Sequence, residues 1–187
     1  MPGKTYLITG AHRGIGRGLF DHYVALPNNR IIATVRSVEG AQDLLHVSQK
    51  GENTTVVIVK IDSASRNDPF EATKSIQRQG IDHVVISSAG IAKLNTVEDM
   101  PLEELEEVLM INTFSVMLLY KATLPLLRQS SSPRFVFISA SGGSLGEMHK
   151  YPYPNSSYGG SKALANYLVV KMGMENDWLI TLLIHPG

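Results

Sequence analysis

Tyr158 and Lys162 stand four residues apart in "YGGSK". On a helix that spacing puts both side chains on one face. An isolated tyrosine titrates near about 10 and is a poor proton donor at neutral pH. An ammonium beside it favours the phenolate and lowers that value. Such a pair can hand a proton to a carbonyl oxygen. A second group of residues suited to chemistry is "LITGAHRGIG", where Gly10, Gly14 and Gly16 fall at the point where a strand should pass into a helix. Gly10 permits a tight turn, Gly14 a close approach of backbone to a ligand, and Gly16 close packing of the helix on the sheet. The helix N-terminus then offers unpaired N–H groups and a positive dipole end to a pyrophosphate. His12, Arg13 and Ile15 lie in the same turn.

The charge pattern beside this turn narrows the ligand. Sites that select NAD carry an acid at the end of the second strand, where it binds the ribose diol. That position is Val35 here, and Arg36 follows it. Arg36, with Arg13 on the other side, suits a 2′-phosphate through charge-assisted hydrogen bonds. The expected cofactor is therefore NADP(H).

The surrounding pattern supplies the elements that must hold these residues. Strands are expected at Lys4–Thr9, Arg30–Val35, Thr54–Ile61, His83–Ser87, Arg134–Ser139 and Trp178–Ile184. Helices are expected at Gly14–Leu26, Gly40–Gln49, Pro69–Gln79, Pro101–Arg128 and Tyr158–Glu175, the last capped within Asn155–Ser157. The strands are nearly continuous runs of Val, Ile and Leu, which means burial on both faces. Strands alternating with helices build parallel βαβ units with right-handed crossovers. The fold class is thus α/β, one Rossmann-type doubly wound parallel sheet of six strands over residues 1–187.

Composition excludes several function classes. The 187 residues carry 17 basic and 17 acidic side chains, so no broad polyanion-binding surface is expected, and no nucleic acid partner. There is no cysteine, and the histidines at 12, 22, 46, 83, 149 and 185 lack ligand spacing, so no metal site is expected. No unbroken apolar run reaches about 18 residues, so no membrane span is expected. The chain enters a strand almost at once, which leaves no room for a signal peptide. A cytoplasmic protein is the expectation.

The TGxxxGxG spacing resembles the short-chain dehydrogenase/reductase family, and further pieces occur in that family's order. Asp62 in "KIDSAS", with Ser63, sits where the family holds the adenine. "SSAG", containing Ala89 and Gly90, replaces its usual Asn-Asn-Ala-Gly turn. Asn112 matches its helix asparagine, Tyr158 and Lys162 its YxxxK, and Pro186-Gly187 its proline-glycine after the sixth strand. The resemblance implies that Tyr158 donates the proton and that Lys162 also holds the nicotinamide ribose. It implies that Asn112 holds a water relaying the proton, and that Pro186 and Gly187 begin the nicotinamide loop. The family's catalytic serine falls directly on Ala140, in "ISASGGS". A one-residue adjustment brings in Ser141, which is the expected catalytic serine. Ser139 is next, and Ser144 is also close. Relatives pair through helices corresponding to 101–128 and 158–175; a homodimer there is one expectation, and the other is that the insertion before Tyr158 blocks that surface.

The chain is longer than the family's usual spacing between the fifth strand and Tyr158. Met148, Tyr151 and Tyr153 in this stretch line an apolar pocket or cover the sheet edge. This stretch, together with residues 158–187, looks like fungal ketoreductases of the norsolorinic acid ketoreductase type, which reduce aromatic polyketide ketones in secondary metabolism. Family members continue past Gly187 with a seventh strand and a substrate lid. Without these the sixth strand is expected to be an edge. Two functions stand: NADPH-dependent reduction of a ketone or aldehyde to an alcohol, or a truncated, catalytically weak NADP-binding protein.

Overall fold

The strands form first from residues that fit a sheet buried on both sides. Tyr6 and Ile8 of β1 (Thr5–Thr9) point to one face, and Leu7 to the other; all are buried. The same alternation runs through β2 (Arg30–Val35), β4 (His83–Ser87) and β5 (Arg134–Ile138). β3 (Thr55–Lys60) and β6 (Ile180–Ile184) close the two sides. The order is β3-β2-β1-β4-β5-β6, and every pairing is parallel. The structure is a computed structural model and describes residues 3–76, 83–150 and 152–187.

One face of the sheet is covered by α2 (Asp68–Ile76), α4 (Ser115–Leu127) and α5 (Ser156–Met174), which bury Ile76, Leu119, Leu127 and Val169 against Leu7, Val85, Phe135 and Phe137. The other face is covered by α1 (Gly14–Ala25), through Phe20 and Val24, and by a short 3₁₀ helix at Glu39–Leu45, through Ala41 and Leu44. The strand order reverses between β1 and β4. Such a switch point opens a crevice at the C-terminal ends of the strands.

Several expectations are corrected. Gly40–Gln49 is not an α-helix but the 3₁₀ helix, kinked at Ala41. Ser37 Oγ accepts the Gly40 N–H at 3.3 Å, and only Ala41 and Leu44 are buried in it, so little packing favours a longer helix. The stretch Pro101–Arg128 is helical but not uniform: α3 (Leu102–Leu109) passes through a π turn at Met110–Phe114 into α4. α5 begins at Ser156, before the expected start at Tyr158, and Asn155 caps it with no side-chain hydrogen bond. Gln79, expected to end the second helix, lies outside the described residues, as does Tyr151.

Leu102–Leu127 is also long and apolar enough to cross a bilayer by length and composition alone, with mean hydropathy 1.3. Unbroken apolar runs do not reveal it. In this fold Val108, Val116, Leu119 and Leu126 of that stretch are buried.

Among the described residues β6 pairs with β5 alone. Its Ile180, Leu182 and Ile184 register with Arg134, Val136 and Ile138, and are 47, 42 and 43% exposed. The sixth strand is thus an apolar edge.

Candidate active site

The glycine turn is built as its residue types require. Gly10 and Gly14 have φ of +67° and +58°, where a side chain would be strained. A Cβ on Gly16 would lie 2.3 Å from the Gly10 carbonyl oxygen, so the first turn of α1 sits directly on the glycine turn. Arg13, the N-cap of α1, makes no side-chain cap bond, and no acid lies in the first turn. The N-terminal N–H groups of α1 therefore present an uncompensated positive end.

That end faces a cleft of about 560 Å³. Gly10, Arg13, Gly14, Ile15, Gly16, Arg36, Asp62, Ser63, Ala89 and Gly90 all line it, as the sequence predicts. Ala64 of "KIDSAS" and Ser88 of "SSAG" also line it, as do Thr34, Glu107 and Ile111, which the sequence does not single out. An annex of about 330 Å³ lies between Gly10, His12, Arg13, Arg36, Ser37 and Gly40. His12 lies 3.6 Å from Asp43, whose carboxyl is held below its usual range mainly by a 2.7 Å hydrogen bond from Arg17. Asp62 stabilises its own loop by accepting the Ala64 N–H at 2.9 Å.

The turn after β4 is fixed by a residue outside the glycine motif's own reading. Thr9 Oγ1 accepts the N–H groups of Ser88 and Ala89 at 2.9 and 3.0 Å. A threonine immediately before the first glycine was the available signal. Gly90 then faces the catalytic candidates: a Cβ there would lie 3.1 Å from Asn112 Oδ1 and 3.7 Å from Lys162 Nζ.

Asn112 is fully buried in the π turn. Its Oδ1 accepts the Ile91 N–H at 2.9 Å, and its Nδ2 donates to the Ile91 carbonyl at 2.8 Å and to Ser161 Oγ at 3.0 Å. Ser161 Oγ donates in turn to the Tyr158 carbonyl at 2.7 Å. The side chain is a clamp between the β4 loop and α5. π turns are frequent at functional sites because the extra residue re-aims side chains.

Tyr158 is half-buried and Lys162 is 4% exposed. Lys162 Nζ donates to the Ile138 carbonyl at 2.8 Å and lies 4.6 Å from the Phe137 ring and 5.7 Å from the Tyr158 ring. Burial pushes the Lys162 ammonium down to about 8. Burial pushes the Tyr158 phenol up, which corrects the expectation of a lowered value. Loss of solvent around the phenol is the cause of the rise.

Glycines bring α5 against the turn after β5. A Cβ on Gly159 would lie 2.9 Å from the Gly142 carbonyl oxygen, and one on Gly143 would lie 2.8 Å from Lys162 Cβ. In this turn Ser139 is buried and donates to Asn166 Oδ1 at 2.6 Å, while Asn166 Nδ2 donates to the Gly143 carbonyl at 3.1 Å. Ser139 is thereby committed to structure. Ala140 is extended, and Ser141, half-buried, opens the 3₁₀ turn Ser141–Gly143. Ser144 ends that turn with its N–H on the Ser141 carbonyl at 3.0 Å.

Pro186 and Gly187 are exposed beyond β6, and, like Asn112, Ser141, Tyr158 and Lys162, they are not among the residues that line the cleft. Met148 and Tyr153 are 52 and 68% exposed, so neither is packed over the sheet.

A model of the short chain dehydrogenase family matches residues 4–181. The chain belongs to the short-chain dehydrogenase family. It is 39% identical over 187 residues to a norsolorinic acid ketoreductase of Emericella nidulans, covering 97% of this chain and 71% of that protein. A norsolorinic acid ketoreductase of Dothistroma septosporum is 38% identical over 190 residues, covering 98% and 71%. Among solved structures, the NADPH-bound carbonyl reductase from chicken fatty liver superposes with a TM-score of 0.87 at 30% identity, covering all of this chain and 77% of that one. This short-chain dehydrogenase is therefore an oxidoreductase of its family, built around a nicotinamide cofactor site, with ketoreductases among its relatives.

Proposed function

We propose that this protein reduces a ketone or aldehyde to an alcohol with NADPH as hydride donor. The observation that carries the reading is Lys162, a buried lysine held 2.8 Å from the Ile138 carbonyl and 5.7 Å from the Tyr158 ring, behind the cleft residue Gly90. A buried charge is costly and persists where it has a task.

The residues fit a dinucleotide phosphate. Gly10, Gly14 and the bare N-terminus of α1 would take the pyrophosphate, Asp62 and Ser63 the adenine end, and Arg13 and Arg36 a 2′-phosphate in the annex. When bound, the cofactor supplies a hydride to the carbonyl carbon. Tyr158 gives its phenolic proton to the carbonyl oxygen. Its raised value keeps that proton in place at neutral pH until the oxyanion develops. Lys162 lies below Tyr158 as a cation at neutral pH and stabilises the phenolate left behind. Asn112 keeps Ile91 and Ser161 in register and so holds the cleft against α5. Ser141 is the serine assigned to the carbonyl oxygen, because Ser139 is spent on Asn166.

An aromatic polyketide ketone is the substrate class favoured by the ketoreductase relatives. Leu94, Leu145, Met148 and Tyr153 leave exposed apolar surface in the loops after β4 and β5 for such a ring system. A second copy of the chain is proposed to meet the exposed stripe Leu164, Tyr167, Val170 and Met174 on α5. The second reading, a weak nucleotide-binding protein, draws on Ala140 at the serine position and on the "SSAG" turn in place of Asn-Asn-Ala-Gly.

The deciding experiment follows NADPH oxidation by absorbance with a panel of aryl ketones and quinones. Wild type is expected to turn over, and Tyr158→Phe to lose turnover while NADPH still raises its melting temperature. A Tyr158→Phe enzyme at wild-type rate refutes the mechanism. Wild type that binds NADPH but oxidises none establishes the second reading.

A further inference from the structure

Asn95 sits in the loop after β4 and is 9% exposed. It is 62 residues from Ser157, yet both its main chain and its side chain are spent on the start of α5. Its N–H donates to the Pro154 carbonyl at 2.7 Å, and its carbonyl accepts the Ser156 N–H at 3.1 Å. Its Oδ1 accepts the Ser157 N–H at 3.0 Å. Its Nδ2 donates to Ser157 Oγ at 3.0 Å and to Glu104 Oε1. Asn95 and Asn155 form an isolated parallel bridge.

The first N–H groups of a helix have no partner within the helix. A side chain at the N-cap ordinarily takes one of them. Asn155 does not. Asn95 performs this task from another segment, and takes two of them. Ser157 is fully buried and immediately precedes Tyr158. Glu104, on α3, sets which end of the Asn95 amide points where. A carboxylate accepts only from Nδ2, so Oδ1 is left for the helix N–H. Lys93 holds Glu104 from outside at 3.9 Å and Glu107 at 2.6 Å.

We propose that Asn95 is a positioning residue for Tyr158, capping α5 from the β4 loop, with Glu104 fixing the orientation of its amide. This rests on the reading of Tyr158 as proton donor. A shift of the first turn of α5 moves the phenol relative to both Lys162 and the carbonyl. Misplacement of about 1 Å can cost about 100-fold in rate. Neither Asn95 nor Ser157 lines the cleft, so Asn95→Ala should leave cofactor binding unchanged.

The test compares wild type, Asn95→Ala, Asn95→Asp and the double variant Asn95→Asp/Glu104→Gln, using the quinone or ketone that wild type reduces fastest. Asn95→Ala is expected to lower kcat by about 10- to 100-fold, with KM for NADPH within about twofold. Its pH profile should show a displaced alkaline limb, and the Ser157 amide should exchange with solvent faster, while the Ser156 amide, held by the main-chain carbonyl, should not. Asn95→Asp keeps the shape but sets two carboxylates together, so kcat should fall at neutral pH. Adding Glu104→Gln returns a donor to that contact and should restore most of the rate. Asn95→Ala with wild-type kcat and wild-type exchange at Ser157 overturns the proposal. So does an equal loss of NADPH binding and turnover, which marks a general structural defect. If Asn95→Ala does not fold, the Asp variant and its rescue carry the test, and no rescue overturns it. If wild type shows no turnover, the proton-donor reading has failed, whereas the exchange measurement still decides whether Asn95 caps α5.

Discussion

Lys162 carries opposing demands at the scale of one residue. Its burial destabilises the ammonium, and its hydrogen bond to Ile138 offsets only part of that cost. The folded value near 8 lies below the ordinary 10.5, so the unfolded chain binds more protons between those pH values. Stability is therefore expected to rise with pH across that window. Measured against Lys162→Met in denaturant, the wild-type gain should reach up to about 3 kcal/mol. Activity should move the other way: kcat for reduction should fall as pH rises through about 8 and Lys162 becomes neutral. A stability difference flat from pH 8 to 10.5 would show that Lys162 is charged in the fold throughout.

Arg36 is the second residue whose role can be isolated, because it is exposed and lines the annex. A charge-assisted hydrogen bond contributes about 1.5–3 kcal/mol. Arg36→Ala should weaken NADPH by about 10- to 150-fold and leave NADH nearly unchanged. Fluorescence titration with both cofactors reads this directly, and equal losses would remove Arg36 from the selection of a 2′-phosphate.

At the scale of elements, the site depends on how closely α5 approaches the turn after β5. Gly159 and Gly142 meet there with no room for a Cβ, which would lie 2.9 Å from a main-chain oxygen. Gly159→Ala is expected to push α5 away and to cost about 1–3 kcal/mol in stability. Turnover should fall further than stability alone explains, because Tyr158 precedes Gly159 and moves with it. Gly160 has open space at the same test, so Gly160→Ala should be close to neutral. Thermal melts and kcat on the two alanine variants make the comparison, and equal behaviour would mean that the contact does not govern the site.

At the scale of the whole molecule, the sheet is unevenly covered. The face under α1 is closed over β1, β2 and β4, but Ile180, Leu182 and Ile184 of β6 stand bare on it. Among the described residues β6 has no partner strand along its outer side. Apolar edges of this kind pair with other chains. The 187-residue chain is expected to self-associate as concentration rises, and Leu182→Lys should suppress this without lowering NADPH-induced stabilisation. Light scattering together with a thermal shift checks both halves. Persistent association of Leu182→Lys would place the contact on the α5 stripe of Leu164, Tyr167 and Val170 instead.

The sequence by itself determined the features that depend on local chemistry. Apolar strands alternating with helices specify a parallel sheet, and Gly10, Gly14 and Gly16 specify the turn, because few other residues tolerate positive φ or contacts of 2.3 Å. The four-residue spacing placed Tyr158 and Lys162 on one face for the same local reason. Only the tertiary structure decided what lies between elements distant in the chain. Thr9 holds the turn after β4, Asn112 spends its amide on Ile91 and Ser161, and Asn95 caps a helix that Asn155 leaves uncapped. The direction in which Tyr158 titrates also belongs here. Spacing alone brings an ammonium near and argues for a lower value, but burial, which spacing does not contain, raises it. Hydrogen-bond partners and solvent exclusion are properties of the packed whole, and no local window of residues encodes them.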